Sequence, residues 1–190
     1  IINLFKTYKL LSIDIFINYM HPLHTIWLSF FNLCRLRSGP QDLPTSSIFL
    51  ALTLLFYTTI SGVLSLMQFS VKDAILLTIG DTGLLVILTS SLLYTAHYPT
   101  RITQTLIAVA GTGCVFGILS LPWVFWIEFY EGDVSLPVLL LISIIVWNFV
   151  VYTHILHHAL EIPFFLASIL TVIIYLLTFS VLSQFVPLIN

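Results

Sequence analysis

The sequence predicts an all-α polytopic membrane protein, a bundle of five transmembrane helices preceded by a short amphipathic helix lying in the membrane interface. Three observations predict it. Hydrophobic residues fill 59% of the 190 positions and charged residues only 7%, against roughly 25% charged in an ordinary soluble domain. A soluble fold would lack the side chains to cover its own surface. Five long apolar runs stand between short polar breaks, each near or above the roughly 20 residues that cross about 30 Å of hydrocarbon. Backbone amides in lipid need partners within the protein, and the runs lack the period-two alternation of an outer-membrane barrel, so they read as helices.

The formal net charge of −2 comes without any run of lysine or arginine, so nothing points to nucleic acid. Two cysteines occur, Cys34 and Cys114. The second lies inside an apolar run with no partner in view, so no disulfide framework is expected and the redox compartment stays open.

Residues 1–19 differ from the rest. Thirteen of these 19 are Ile, Asn, Lys, Phe or Tyr, whose codons are rich in A and T, and the first methionine is Met20. Two readings stand: an upstream or disordered extension with Met20 as the start, or a fragment whose start is missing. Asp14 and Asn18 interrupt the apolar stretch and no small-residue cleavage site follows, so a signal peptide is not expected.

Residues 20–46 form the leader. Leu23, Ile26, Trp27, Phe30, Phe31, Leu33 and Cys34 recur at helical spacing, with His24, Thr25, Ser29, Asn32 and Arg35 between them. Such a helix is too short to span and is expected in the interface, Trp and Arg at headgroup level. Ser38-Gly39-Pro40 is expected to end it. Asp42-Leu43-Pro44 with Thr45, Ser46 and Ser47 then supplies a turn and an N-cap.

The five-span domain covers 47–190, with spans expected at about 47–67, 73–95, 103–127, 136–158 and 163–186. The breaks carry most of the charge: Lys72 and Asp73, His97 to Arg101, Glu128 to Asp133, and His157 to Glu161. A cytoplasmic N-terminus places Arg35, Arg37 and Arg101 inside and Lys72 outside, so the expected topology is N-in, C-out. Trp123 and Trp126 then join the outer aromatic belt.

A few residues break the apolar rule within the spans. Asp81 lies near the midplane of the second span, where an ionised carboxylate costs about 2.5 to 3.5 kcal/mol. It is expected to face the bundle, stay protonated or find a donor. Asn148 lies at similar depth on the fourth span, and Gly111, Gly113 and Gly117 on the third, where Gly113-xxx-Gly117 permits close helix approach. Asp81, Asn148, Gly113 and Gly117 are therefore expected to meet at one polar, tightly packed centre. It serves either as interhelical glue or as a proton or substrate pathway.

His154, His157, His158 and Glu161 are related by three- and four-residue steps, which put all four on one helix face. Imidazole and carboxylate at that spacing can hold zinc or iron. The His-x-x-His-His core resembles one histidine box of membrane desaturases and hydroxylases. Those enzymes assemble a di-iron site from several boxes and roughly eight histidines, whereas this chain has six, His21, His24 and His97 being the others. The cluster also falls where the fourth span leaves the membrane, where amphipathic side chains collect. Histidines there interact favourably with a helix C-terminus when charged, so an interfacial role or pH sensing is the alternative to a metal.

As a whole, the short leader, the Gly-Pro/Asp-Leu-Pro turn and the five closely spaced spans over 47–186 resemble the Yip family of small five-span membrane proteins, including its bacterial members. The stretch Leu36-Arg37-Ser38-Gly39-Pro40-Gln41-Asp42-Leu43-Pro44 resembles the leader of short proteobacterial inner-membrane proteins. The resemblance implies trafficking partners or membrane organisers, without a catalytic residue to carry over, and a bacterial inner membrane as location.

Three functions follow as expectations. The first is a non-enzymatic organiser or subunit of a membrane complex, with a membrane-protein partner or a second copy and no cofactor. The second is a small transporter or proton-coupled component using Asp81. The third is a metal-dependent membrane enzyme using the histidine cluster. No Gly-x-Ser-x-Gly elbow or phosphate-binding glycine loop is visible.

Overall fold

A computed structural model describes residues 28–185. The extension 1–19, the Met20 start, and His21, His24 and Trp27 of the leader lie outside the described residues, as does the end of the chain from 186. Six helices carry the described chain: α1 (28–34), α2 (Ser47–Gln68), α3 (Val71–Thr95), α4 (Ile102–Phe129), α5 (Ser135–Leu160) and α6 (Phe164–Leu182). Short 3-10 turns occupy Pro40–Asp42 and Pro99–Arg101. Helices α2 to α6 are each long and apolar enough to cross a membrane, and the chain is an integral membrane protein.

Local chemistry sets the boundaries. Ser46 caps α2 by accepting from the Phe49 amide at 3.4 Å. Helix α3 starts at Val71, two residues before the expected 73, because Ser70 caps it. The Ser70 hydroxyl accepts from the Asp73 amide and donates to the Asp73 carboxylate, which draws Lys72 and Asp73 out of the break and into the first turn. Helix α6 stops at Leu182, short of the expected 186.

Three helices end on a residue in the left-handed region without glycine: Leu36 after α1, His97 after α3 and Glu161 after α5. At the first two the hydrogen bonds are those of a Schellman cap. The Leu36 amide donates to Leu33 and that of Arg37 to Asn32, while His97 donates to Tyr94 and Tyr98 to Leu93. The leader helix therefore ends at Cys34 with Leu36 in its cap, before the Ser38-Gly39-Pro40 expected to stop it.

The spans form a ring in the order α2, α3, α6, α5, α4 and back to α2, each touching the next. Because the spans alternate in direction, one end of the bundle gathers the leader with the 96–101 and 161–163 connections. The far end gathers residues 69–70 and 130–134. Packing is densest near the leader end, where Leu93, Thr105, Ile107, Val151, Ile155 and Leu156 are fully buried. Phe165 and Phe179 of α6 are over 70% exposed in the protein alone, as a lipid-facing surface requires.

The leader closes this end. Phe30, Leu33, Cys34 and Leu43 are buried in the main core. The Phe30 ring sits on Gly111, where an added Cβ would fall 2.0 Å from a ring carbon, so only glycine admits the ring. Side chains of the bundle hold the leader backbone. Trp147 donates to the Cys34 carbonyl at 2.9 Å, His154 Nε2 to that of Ser38 at 3.1 Å, and the Gln104 amide to those of Gln41 and Leu43. Burial pushes the Cys34 thiol up to about 11.

Candidate functional site

Asp81 stands ten residues into α3, about 15 Å along its axis, and Tyr57 stands at matching depth on α2. The Tyr57 hydroxyl donates to Asp81 Oδ2 at 2.7 Å, and Ser61, one turn along α2, donates to the same oxygen at 3.3 Å. One residue further along each helix, the hydroxyls of Thr58 and Thr82 pair at 3.0 Å. Both donors converge on Oδ2, and Oδ1 has no hydrogen-bond partner among the described residues.

Asp81 faces a cavity of about 260 Å³ to which all five spans contribute. Asn148, Gly113 and Gly117 line it as well. Asn148 is half-buried and its amide makes no hydrogen bond to a described residue. Gly113 and Gly117 lie under Tyr57 and Ile60 of α2: a Cβ at either would come within 2.6 Å of those side chains. Gly111 does not join them. It lies two residues from Gly113, hence about 200° around the helix, and serves the leader instead.

Tyr152 and Tyr175 complete the polar wall, their rings edge to face with centroids 5.9 Å apart. Tyr152 also pairs with buried Thr89 at 3.3 Å. Ser120 and Thr178 add two hydroxyls, the rest of the lining is largely aliphatic, and Asp81 is the one carboxylate among lining residues that include no Lys, Arg or His. The cavity lies between the densely packed leader half and the far end. Tyr57, Ser61, Tyr152 and Tyr175 were not anticipated. The i, i+4 spacing of Tyr57 and Ser61 was the available signal, masked because tyrosine inside an apolar run reads as apolar.

The histidine cluster sits at the leader end. His154 Nε2 meets the Ser38 carbonyl, His158 Nδ1 the His154 carbonyl at 3.0 Å, and His157 Nδ1 the Ile162 carbonyl. The His154 and His158 rings lie 4.3 Å apart and those of His157 and His158 4.8 Å. Glu161 leaves the helix in the left-handed region and pairs with Arg101 at 2.5 Å, with Tyr98 donating to its other oxygen at 3.3 Å. The Arg101 guanidinium holds the Glu161 carboxyl below the usual glutamate range and also donates to the Ala159 carbonyl at 3.1 Å, capping the end of α5. Among the described residues no group of three or more His, Cys, Asp and Glu side chains is arranged to hold a metal ion.

No known protein family, curated protein or solved structure matches the chain.

Proposed function

We propose that this membrane protein is a small transporter or proton-coupled component in which Asp81 takes up and releases a proton beside the central cavity. One observation carries the reading. A midplane carboxyl, one of whose oxygens has no hydrogen-bond partner among the described residues, faces an open volume that is also lined by Asn148, whose amide likewise has none among them. Helix glue alone accounts for Oδ2 and leaves Oδ1 and the half-buried Asn148 open to the cavity without a use. The organiser reading rests on small-residue helix faces and on the lack of a catalytic signature in the sequence, and only the first of these bears on a partner. Gly113 and Gly117 are covered by Tyr57 and Ile60 of the same chain, so those faces are not offered to a partner.

The excess of Arg35, Arg37 and Arg101 over Lys72 supports a cytoplasmic leader end, and a bacterial inner membrane is proposed on the resemblance of the leader stretch 36–44 alone. The cavity then lies toward the outer side. Kinship with the Yip-like family is proposed on the five-span plan and the leader turn alone, and it assigns no residue. Infrared titration of the protein in lipid tests the function. A protonated-carboxyl band that titrates, and that Asp81→Asn removes, is the expected result; the lack of such a band overturns it.

A further inference from the structure

This inference rests on the proposed function, in that it takes Asp81 as the binding centre and names what binds there. The geometry points to a small organic cation, a protonated amine on an apolar or aromatic body, as the ligand of the cavity between α2 and α6.

Charge selects the sign. Asp81 meets no Lys, Arg or His among the lining residues, so an anion would find no positive partner there and would be repelled whenever the carboxyl is ionised. The walls select the body. A bare inorganic cation such as calcium takes about six to eight oxygen ligands, carboxylates prominent among them, whereas the lining brings one carboxylate, an amide and scattered hydroxyls, with Leu64, Val109, Phe116, Ile144 and Ile174 between them. These same walls suit the hydrocarbon part of an amine. The tyrosines select the head. Tyr57, Tyr152 and Tyr175 lie on the cavity beside the carboxyl, and aromatic faces attract ammonium groups. Asn148 adds an amide oxygen able to accept from the ammonium. At about 260 Å³ the volume lies just below the roughly 300 to 1,000 Å³ of drug-sized sites, so the body is no larger than a phenylalkyl group.

The charge balance couples this ligand to the proton. When the ammonium arrives, the O–H bond of protonated Asp81 breaks, the proton leaves to water, and the carboxylate keeps the electron pair that faces the cation. One positive charge enters and one leaves.

Calorimetry on the full chain in lipid nanodiscs tests this with 2-phenylethylammonium, and with 2-phenylethanol and 3-phenylpropanoate as neutral and anionic counterparts. The ammonium should bind at least about tenfold more tightly than either, with proton release visible as a dependence of the heat on buffer ionisation. Affinity of the unaltered protein should fall as pH is lowered, and Asp81→Asn should lose binding while keeping its helical circular dichroism. If Asp81→Asn fails to fold, the pH dependence decides alone. Equal or tighter binding of the alcohol or the carboxylate, no binding of the ammonium at millimolar concentration, or an affinity indifferent to pH overturns the ligand class. A titrating Asp81 infrared band with no ammonium binding overturns the ligand class and leaves the proposed function standing; absence of the band overturns both.

Discussion

The Tyr57 hydroxyl donates to Asp81 Oδ2 at 2.7 Å and thereby joins α2 to α3 at the wall of the central cavity. Ser61 adds a second donor to the same oxygen. The carboxyl is thus held by one oxygen and presented by the other, which is the geometry of a site as well as of a joint.

Replacing Tyr57 by Phe removes the shorter of those two bonds. Interhelical hydrogen bonds in membrane bundles average about 0.6 kcal/mol and reach about 1.7, so thermal unfolding in detergent should show a loss of that order. The carboxyl band of Asp81 should also move in frequency, because its hydrogen bonding has changed. A variant with native stability and an unmoved band contradicts the bond.

Gly111→Val should detach the leader and leave the five spans assembled. The new side chain would occupy the place of the Phe30 ring. In a Cys114→Ser background, Cys34 is buried and its thiol pushed up to about 11, so maleimide should label it slowly at neutral pH and much faster in the Gly111 variant. Equal rates would show that Phe30 does not depend on Gly111.

His97→Gly should stabilise the protein. His97 is exposed and its φ is 64°. A side chain in that region costs of order 1 kcal/mol or more, partly offset by the greater unfolded-state freedom of glycine, which leaves a gain of about 0.5 kcal/mol. The thermal midpoint measures it, and a lower midpoint would contradict the cap.

The Arg101–Glu161 pair predicts an acid dependence. Its folded-state carboxyl is held below the ordinary glutamate value. The stabilisation is therefore complete above that ordinary value and disappears as pH falls through the lowered one. Both side chains are substantially exposed, at 34% and 57%, so solvent screening keeps the effect small. Thermal midpoints followed from neutral to acid pH should drop more in the unaltered protein than in Glu161→Gln; parallel curves would contradict the pair.

The spans are legible in the sequence because lipid imposes one rule on every residue of a long run. Their ends follow local chemistry and are less so: Ser70 starts α3 early, and Leu36 and His97 adopt cap conformations that sequence reading reserves for glycine. The depth of Asp81 and Asn148 is legible from counting alone. Which glycines face which neighbour is not, since Gly111 and Gly113 differ by half a turn and serve the leader and α2 respectively. The tyrosines around Asp81 escape notice because hydropathy hides a hydroxyl on an aromatic ring. Glu161 shares helical spacing with the histidines, yet Arg101 stands 60 residues earlier in the chain, and only the fold shows the two together.

The most direct test of the central claim is an infrared pH titration of the full chain in lipid, alongside Asp81→Asn. The account predicts a protonated carboxyl band that disappears as pH rises and is missing from the variant. A variant spectrum identical to that of the unaltered protein at every pH would contradict a proton-exchanging Asp81 and return that residue to the role of helix glue.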